Sequence, residues 1–444
     1  MDSILILNAR VINEFFEEQT DIFIKNGRIQ KIGSDLSAQK AAMIIDAKGK
    51  TMLPGMIDDQ VHFREPGLTH KGDIRSESIA SVTGGITTFM EMPNTLPATT
   101  TIPLLEEKFS LAENRAFANF SFYLGGSNTN IEEIKVLDPE SACGIKVFMG
   151  ASTGNMLVDD PGVLEKIFTH APGIVAVHCE DTPLIEENTR RAENQYGSAI
   201  PVELHPRLRS EKACFKSSSL AVDLAKKCGT RLHILHLSTE KELSLLSDFP
   251  LEQKRITAEV CVHHLFFTDR DYEEKGTLIK CNPAIKTVND RDQLVLAVKN
   301  GKIDVIGTDH APHTIKEKKA PYAASPSGMP LAEFALVSLL EKYHDGIFSL
   351  GLIAEKSAHA PARLFNIKDR GYIREGYWAD LVLVDLDRPF AADEKPIRSK
   401  CGWTPFTGHI FRSSIIATFV SGHPAFLNGR IDPNPAGMRI KFDR

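Results

Sequence analysis

The sequence lacks the features that mark several large classes of protein. Its 444 residues contain no apolar run near the roughly 20 residues that a transmembrane helix needs. The first residues lack a basic segment followed by an apolar one, so no secretory signal is indicated. Positive charge is not in excess, because 52 basic residues face 58 acidic ones. We therefore expect a cytoplasmic protein that binds small molecules, with neither nucleic acid nor a membrane as partner.

Paired cysteines are missing as well. The seven cysteines are odd in number, scattered, and never spaced as C-x-x-C. This pattern predicts reduced thiols, mostly small buried residues, rather than a disulfide framework or a zinc knuckle. The residues concerned are Cys143, Cys179, Cys214, Cys228, Cys261, Cys281 and Cys401.

The overall composition is that of a globular enzyme. Apolar residues make up 42% and charged residues 25%, with no repeat or low-complexity tract. A chain of this length exceeds the roughly 250 to 300 residues at which a single core stops growing, so a large domain with an accessory domain is expected.

The two ends of the chain show β-rich patterns. Near the start, DIFIKNGRIQKIG has the turn pair Asn26-Gly27 between two apolar runs, which indicates a hairpin. Near the end, ADLVLVDLD, SIIATFVSG and AFLNGRI are similar, the last with Asn428-Gly429. We expect residues 1–51 and 366–444 to form one small β-sandwich domain.

The middle of the chain, residues 52–365, alternates between β-rich runs and helix-length segments. Segments 218–229 and 290–301 have apolar residues at helical spacing. Eight strands in such an alternation predict an α/β fold, a TIM-like (β/α)8 barrel with its active site at the carboxyl ends of the strands. The eight runs are MLPGMIDDQVH (52–62), GITTFMEMPN (85–94), NFSFYLGG (119–126), CGIKVFMG (143–150), GIVAVHCE (173–180), RLHILHLS (231–238), RITAEVCVHH (255–264) and KIDVIGTDH (302–310).

Ligand-type side chains fall near the ends of these runs. Imidazole and carboxylate are the groups that bind zinc in catalytic sites. Strand alternation places His233 and His236 on opposite faces, and His236 is nearer the carboxyl end. His263 and His264 are expected to pack rather than to bind metal. The set that would meet at one mouth is His62, Lys146, His178, His236 and Asp309.

Lys146 and Asp309 each allow two interpretations. A buried lysine tends to lose its charge, and a neutral amine can add carbon dioxide to give a carbamate that bridges two metals. The alternative is a lysine paired with an acid. Asp309 either binds metal and moves a proton or caps a loop. The polar segment 313–330 is predicted to be a mobile loop beside this site.

Several motifs in order resemble one enzyme family. IDDQVHFREPG, MPNT, GIKVFMG, VHCE, HLST, CNPA and GTDHAPH are similar to those of dihydroorotases, in the amidohydrolase group related to hydantoinases and allantoinases. The resemblance covers nearly the whole chain, and HFREPG and DHAPH are specific to dihydroorotases. It implies a metal-bearing barrel beside a β-sandwich, and a homodimer.

The resemblance also implies roles for individual residues. His62, His178, His236 and Asp309 would bind one or two Zn2+ ions, with Lys146 carboxylated between them. Arg64 and Asn94 would bind a substrate carboxylate, assisted by His313, and Asn282 would contact the ring amide. From the sequence alone, an arginine in a surface ion pair is an equal alternative for Arg64. Asp309 would also be catalytic, taking a proton from the attacking water and giving it to the leaving nitrogen.

One position departs from the family motif. The family has His-x-His on the first strand, whereas this chain has Gln60-Val61-His62. A glutamine carbonyl is a weaker zinc ligand than imidazole, so the site is expected to bind one metal only, or to use water or Asp58 as the missing ligand. Lys286 also stands where the family often has arginine.

The resemblance therefore implies zinc-dependent, reversible cyclisation of N-carbamoyl-L-aspartate to L-dihydroorotate, a step of de novo pyrimidine biosynthesis. Two alternatives remain. One is a different cyclic amidase, a hydantoinase or allantoinase. The other is a catalytically inactive relative that serves as a scaffold subunit, for which Gln60 is the sole support.

Overall fold

Strands from both ends of the chain form a single nine-stranded sheet. The computed structural model describes residues 3–150, 156–394 and 396–444. Asn26 and Gly27 have positive φ angles in a tight hairpin, as the sequence predicts. The N-terminal strands of the sheet are β1 (Ser3–Asn13), β2 (Phe16–Lys25), β3 (Arg28–Gly33), β4 (Met43–Asp46) and β5 (Thr51–Pro54).

Eight further strands form the predicted barrel, all parallel and in sequential order. The barrel closes where the backbone N–H of His62 donates to the carbonyl of His310 (2.7 Å), which joins its first and last strands. The fold class predicted from the sequence is thus confirmed. The strands are β6 (Met56–Val61), β7 (Ile86–Glu91), β8 (Asn119–Gly125), β9 (Gly144–Phe148), β10 (Ile174–His178), β11 (Arg231–Ile234), β12 (Ile256–Cys261) and β13 (Val305–Gly307).

Helices fill the intervals between most barrel strands, and two 3₁₀ turns replace a helix between β11 and β12. The two helices predicted from apolar spacing are α7, which ends at left-handed Gly229, and α10, which Thr287 caps. The helices are α1 (Ile74–Thr83), α2 (Ile102–Ala112), α3 (Ile131–Lys135), α4 (Pro161–His170), α5 (Thr182–Tyr196), α6 (His205–Leu208), α7 (Glu211–Cys228), α8 (Val262–Phe266), α9 (Tyr272–Lys275), α10 (Val288–Lys299), α11 (Ile315–Lys318), α12 (Ala335–His344), α13 (Leu350–Ala354) and α14 (Ala360–Phe365).

The last strands return to the terminal sheet, apart from β15 and β16, which pair with each other. Short helical turns complete the secondary structure. The remaining strands are β14 (Leu381–Asp385), β15 (Phe390–Ala391), β16 (Ile410–Phe411), β17 (Ser414–Val420), β18 (His423–Leu427) and β19 (Arg430–Ile431). The 3₁₀ turns are Val202–Leu204, Lys241–Leu245, Leu251–Gln253, Asp269–Asp271, Gly276–Ile279 and Ala332–Phe334, and a π-helical turn spans Glu355–His359.

The run 52–62, predicted as one strand, is two strands separated at Gly55. β5 is hydrogen-bonded to β1 and β14 in the terminal sheet, whereas β6 starts the barrel. We infer the two-domain division expected from the sequence, with its first boundary at Gly55 instead of residue 51.

All seven cysteines are free, as predicted. Among the described residues, no helix combines the length and the apolar character that crossing a bilayer requires.

The turn from α1 into β7 depends on a close backbone approach. A Cβ atom on Gly84 would lie 1.9 Å from the carbonyl oxygen of Ala332, which is backbone and cannot rotate away. We expect Gly84→Ala to destabilise the protein by about 3 kcal/mol, because overpacking forces the backbone to shift. The measurement is the thermal unfolding midpoint.

Gly49→Ala is the matched control. Gly49 has a φ of +75° but open space around it, so its substitution should cost only about 1 kcal/mol of backbone strain. Equal midpoints for the two variants would contradict the steric explanation.

Candidate active site

A cavity opens at the carboxyl ends of the barrel strands. Seven of the nine predicted site residues line it, Lys146 is buried in β9, and His313 contacts Arg64. The parallel strands thus bring together residues that are up to 251 positions apart in sequence, from His62 to His313. The cavity is lined by Gln60, His62, Arg64, Asn94, Phe148, His178, His236, Asn282, Asp309, Ala311, Ser327 and Gly328.

Three of these residues have an unusual backbone. Arg64, His236 and Asp309 have φ angles of 73°, 41° and 49°, in the left-handed region that non-glycine residues seldom adopt. Such conformations cost on the order of 1–3 kcal/mol each and cluster at functional sites. The strain is independent of the sequence motifs and supports the same location.

His62 and Asp309 face each other as two hydrogen-bond acceptors. The ring Nδ1 of His62 donates to Asn94 Oδ1 (2.7 Å), which leaves a lone pair on Nε2 in the neutral ring. Burial lowers the pKa of His62, despite the opposing effect of Asp309, so the neutral ring is favoured. Yet Nε2 lies 3.0 Å from Asp309 Oδ1. A cation between these two atoms would satisfy both.

A second pair of ligand atoms lies in the same cavity. His178 Nδ1 and His236 Nε2 are 3.0 Å apart, and His236 Nδ1 has no hydrogen-bond partner among the described residues. Burial, reinforced by neighbouring His178, lowers the pKa of His236 well below its ordinary value. Neutral imidazole is the form that binds metal.

Lys146 is fully buried, and its Nζ has no hydrogen-bond partner in the described part of the chain. Its described contact is with the ring of Phe148, 4.6 Å from the amine. The alternative that an acid pairs with Lys146 is therefore wrong. Burial lowers the pKa of Lys146 to about 7. A neutral amine of this kind can add carbon dioxide, and the product would supply an anionic ligand.

The side chains present therefore fit a divalent metal. Three imidazoles, one carboxylate and, once carboxylated, the amine of Lys146 match the donor groups of catalytic zinc sites, and several of their atoms are buried without partners. Asp58 does not complete the set, because its carboxylate accepts hydrogen bonds from Thr308 and the Gln60 backbone. Gln60 itself lines the cavity and donates from Nε2 to Asp309 Oδ1 (3.1 Å).

Arg64 is 5% exposed, so the alternative of an arginine in a surface ion pair is wrong. Its Nε donates to the Pro312 carbonyl (3.1 Å), which fixes the guanidinium and leaves other N–H donors for a ligand. Burial lowers the pKa of Arg64 to about 10, which still leaves it charged at neutral pH.

His313 lies beside this arginine as a neutral ring. Lys71 Nζ donates to its Nδ1 (3.0 Å), and its Nε2–H donates to the Ser327 carbonyl (3.0 Å), beside the guanidinium of Arg64. Burial, with Arg64 and Lys71 nearby, lowers the pKa of His313 far below its ordinary value. His313 therefore lies beside Arg64 without adding a charge.

The segment 313–330 lies at the site, as predicted. Ser327 Oγ donates to Asn282 Oδ1 (2.9 Å), which orients the amide and leaves its Nδ2 as the donor for a ligand. The Nζ of Lys318 donates to the carbonyls of Lys280 and Pro326, which anchors the segment to the barrel. Its predicted mobility stays a prediction.

Sequence reasoning missed two residues at the site. Glu180 lies 3.1 Å from His178 Nε2 and is ion-paired with Arg209. Although burial opposes it, this pairing lowers the pKa of Glu180 to about 2. Phe148 covers Lys146. Glu180 and Phe148 each stand two positions after a predicted metal ligand. This spacing was the sequence signal that could have identified them. His263 and His264 are buried outside the cavity lining.

Comparisons with known proteins show which family the chain resembles. The amidohydrolase family profile matches residues 51–425. Among curated proteins, a dihydroorotase of Methanosarcina mazei is 32% identical over 92% of this chain and 91% of its own length. A dihydroorotase of Pyrococcus abyssi is also 32% identical, over 98% of this chain and 96% of its own length.

Among solved structures, the L-hydantoinase (dihydropyrimidinase) of Arthrobacter aurescens superimposes with a TM-score of 0.93. It is 27% identical, and the match covers 99% of this chain and 100% of that one. The barrel and the terminal sheet are thus shared with this L-hydantoinase.

The unpaired amine of Lys146 predicts a carbamate. In protein supplied with 13C-labelled bicarbonate and Zn2+, we expect a carbamate carbon signal by NMR that Lys146→Met abolishes together with bound zinc. In metal-free protein, carbon dioxide uptake should rise as the pH passes about 7, because the lowered pKa leaves the amine neutral above it.

Lys216→Met is the control, since this exposed lysine is paired with Asp181. A carbamate signal in Lys146→Met as strong as that of the wild type would contradict the assignment.

Gln60 predicts incomplete metal loading. Its Oε1 has no partner in the described residues, and an imidazole at this position is a stronger ligand for zinc. We expect Gln60→His to raise the zinc content per chain, measured by mass spectrometry of the dialysed protein. Gln60→Met, which has similar size and no strong ligand, should match the wild type. No gain in Gln60→His would show that Gln60 does not limit metal binding.

Proposed function

The chain belongs to the amidohydrolase family, and we propose that its reaction is the reversible cyclisation of N-carbamoyl-L-aspartate to L-dihydroorotate in de novo pyrimidine biosynthesis. The observation behind this proposal is the buried guanidinium of Arg64, which shares the cavity with the metal-ligand set. A planar guanidinium suits a carboxylate, because its parallel N–H groups bind both oxygens. Dihydroorotate has such a carboxylate, on the ring carbon that one methylene separates from the carbonyl carbon of the amide that is opened.

Arg64 and Asn94 would hold the substrate carboxylate. Asn94 Oδ1 is already engaged by His62, so its Nδ2 is the group that can donate to the substrate. Asn282, oriented by Ser327, would donate from its Nδ2 to the amide at the other end of the ring. These contacts fix the ring with its scissile amide toward Asp309.

Asp309 would move the proton. Burial opposes ionisation, but the neighbouring groups of the cavity lower the pKa of Asp309 below its ordinary value, so its carboxylate is available as a base. In the hydrolytic direction, Asp309 accepts a proton from the attacking water and delivers it to the leaving ring nitrogen. In the direction of ring closure, it removes the proton from the attacking carbamoyl nitrogen.

We infer that the metal is zinc, one or two ions per chain, held by His62, His178, His236, Asp309 and carboxylated Lys146. When bound, zinc supplies an activated water near neutral pH and polarises the amide carbonyl. Gln60 favours one tightly bound ion over two.

A hydantoinase activity is the second candidate, supported by the likeness to the L-hydantoinase. Hydantoins share the cyclic amide but need no carboxylate at the ring carbon, which leaves Arg64 unexplained. The scaffold alternative has Gln60 as its sole support, and the expected homodimer and cytoplasmic location stay predictions.

The test is hydrolysis of dihydroorotate by the zinc-loaded protein and by Arg64→Met. Two charge-assisted hydrogen bonds to the carboxylate contribute about 2 kcal/mol each, so kcat/KM for dihydroorotate should fall by about 10³-fold. Hydrolysis of unsubstituted hydantoin, which has no carboxylate, should change little. Arg191→Met, at an exposed ion pair with Glu187, is the control.

Two outcomes would contradict the proposal. One is zinc-loaded protein without dihydroorotate turnover in either direction. The other is dihydroorotate hydrolysis that survives Arg64→Met, which would separate Arg64 from carboxylate binding.

A further inference from the structure

A second cluster of buried polar side chains lies inside the barrel, outside the lining of the active-site cavity. Asp59 belongs to β6, His233 to β11 and Glu259 to β12, and each is 0% exposed. β6 and β11 are not neighbours in the sheet, so their side chains meet across the barrel interior. One ligand-type atom from each of the three residues lies within 4.8 Å of the other two.

The hydrogen bonds of His233 determine where its lone pair points. The hydroxyl of Thr257 donates to the Leu232 carbonyl (3.1 Å), so its oxygen accepts from Nδ1–H of His233 (2.8 Å). In the neutral ring, Nε2 is then an acceptor, and it lies 3.0 Å from Asp59 Oδ2. Two acceptors at this distance need a positive group between them.

The two carboxylates have unsatisfied oxygens as well. Asp59 Oδ1 and Glu259 Oε2 are buried without a hydrogen-bond partner among the described residues. Both carboxylates converge on Gly307, where a Cβ atom would lie 2.9 Å from Glu259 Oε1 and 3.0 Å from Asp59 Oδ1. Leaving buried acceptors unpaired costs about 1–3 kcal/mol each, and more when they are charged.

We propose that Asp59, His233 and Glu259 bind a divalent metal ion of the zinc type, as a structural site separate from the active site. Two carboxylates and one imidazole are a donor set that zinc accepts, and a dication neutralises the two negative charges. Metal-bound histidines commonly donate a hydrogen bond from the ring nitrogen that does not bind the metal, as His233 Nδ1 does to Thr257. The ion would connect β6, β11 and β12 inside the barrel.

The competing explanation for these contacts is protonation of the side chains instead of metal binding. If His233 is an imidazolium paired with Asp59, and Glu259 is a neutral acid that donates to Asp59 Oδ1, the same contacts form without metal. Substitution separates the two cases, because an amide replaces a neutral carboxylic acid at little cost but replaces a metal-binding carboxylate poorly.

The direct experiment is a crystal structure of the full chain grown with Zn2+, with diffraction data collected on both sides of the zinc absorption edge. We expect an anomalous peak bounded by Asp59, His233 and Glu259, distinct from any peak at His178 and His236. A peak at the active site with none at this cluster would overturn the proposal. The readout is the position of the ion, so failure of the proposed dihydroorotate reaction would not affect it.

Zinc counting with variants provides a second test. Because the cluster has no exposed side chain, its ion should resist dialysis against a chelator that strips the open cavity, which leaves about one zinc per chain. Glu259→Gln should lose that residual zinc. Glu242→Gln is the matched control, since Glu242 is a buried acid that accepts from Ser218 and Thr239. Equal residual zinc in wild type and Glu259→Gln would favour protons and overturn the proposal.

Discussion

Buried acceptor atoms that face each other without a proton between them are the constraint on which the site depends. At the barrel mouth, the hydrogen bond from His62 to Asn94 turns the lone pair of Nε2 toward a carboxylate oxygen of Asp309, 3.0 Å away. Away from water, such a pair is unfavourable unless a cation lies between the atoms. The amine of Lys146, which has no hydrogen-bond partner in the described residues, would add an anionic ligand once carboxylated. This arrangement therefore favours a cation at the site.

The barrel makes that arrangement possible by holding strand ends rigidly. The bond from His62 to the His310 carbonyl closes the sheet, so ligands from its first and last strands become neighbours. The surrounding packing also holds Arg64, His236 and Asp309 in left-handed conformations that an isolated chain would avoid. The packing of the barrel therefore offsets the backbone strain of the residues that form the site.

Much of the fold could be predicted from local pattern. Alternating β-rich and helical segments gave the eight barrel strands, and Asn26-Gly27 gave the hairpin, since these depend on short-range sterics. The split of run 52–62 at Gly55 could not be predicted, because two consecutive strands in different sheets have the same apolar pattern as one strand. The hydrogen bonding that keeps Asp58 from serving as a metal ligand could not be predicted either, because its partner Thr308 is 250 residues away.

The sequence by itself determined the chemistry available, because imidazole, carboxylate, amine and guanidinium groups at strand ends are properties of residue type and spacing. Only the tertiary structure decided which groups face each other. It left Lys146 without an acid partner among the described residues and placed Glu180 against His178. It also brought Glu259 to Asp59 inside the barrel. These outcomes depend on the closure and tilt of the strands, which join residues far apart in the chain, and no local pattern encodes them.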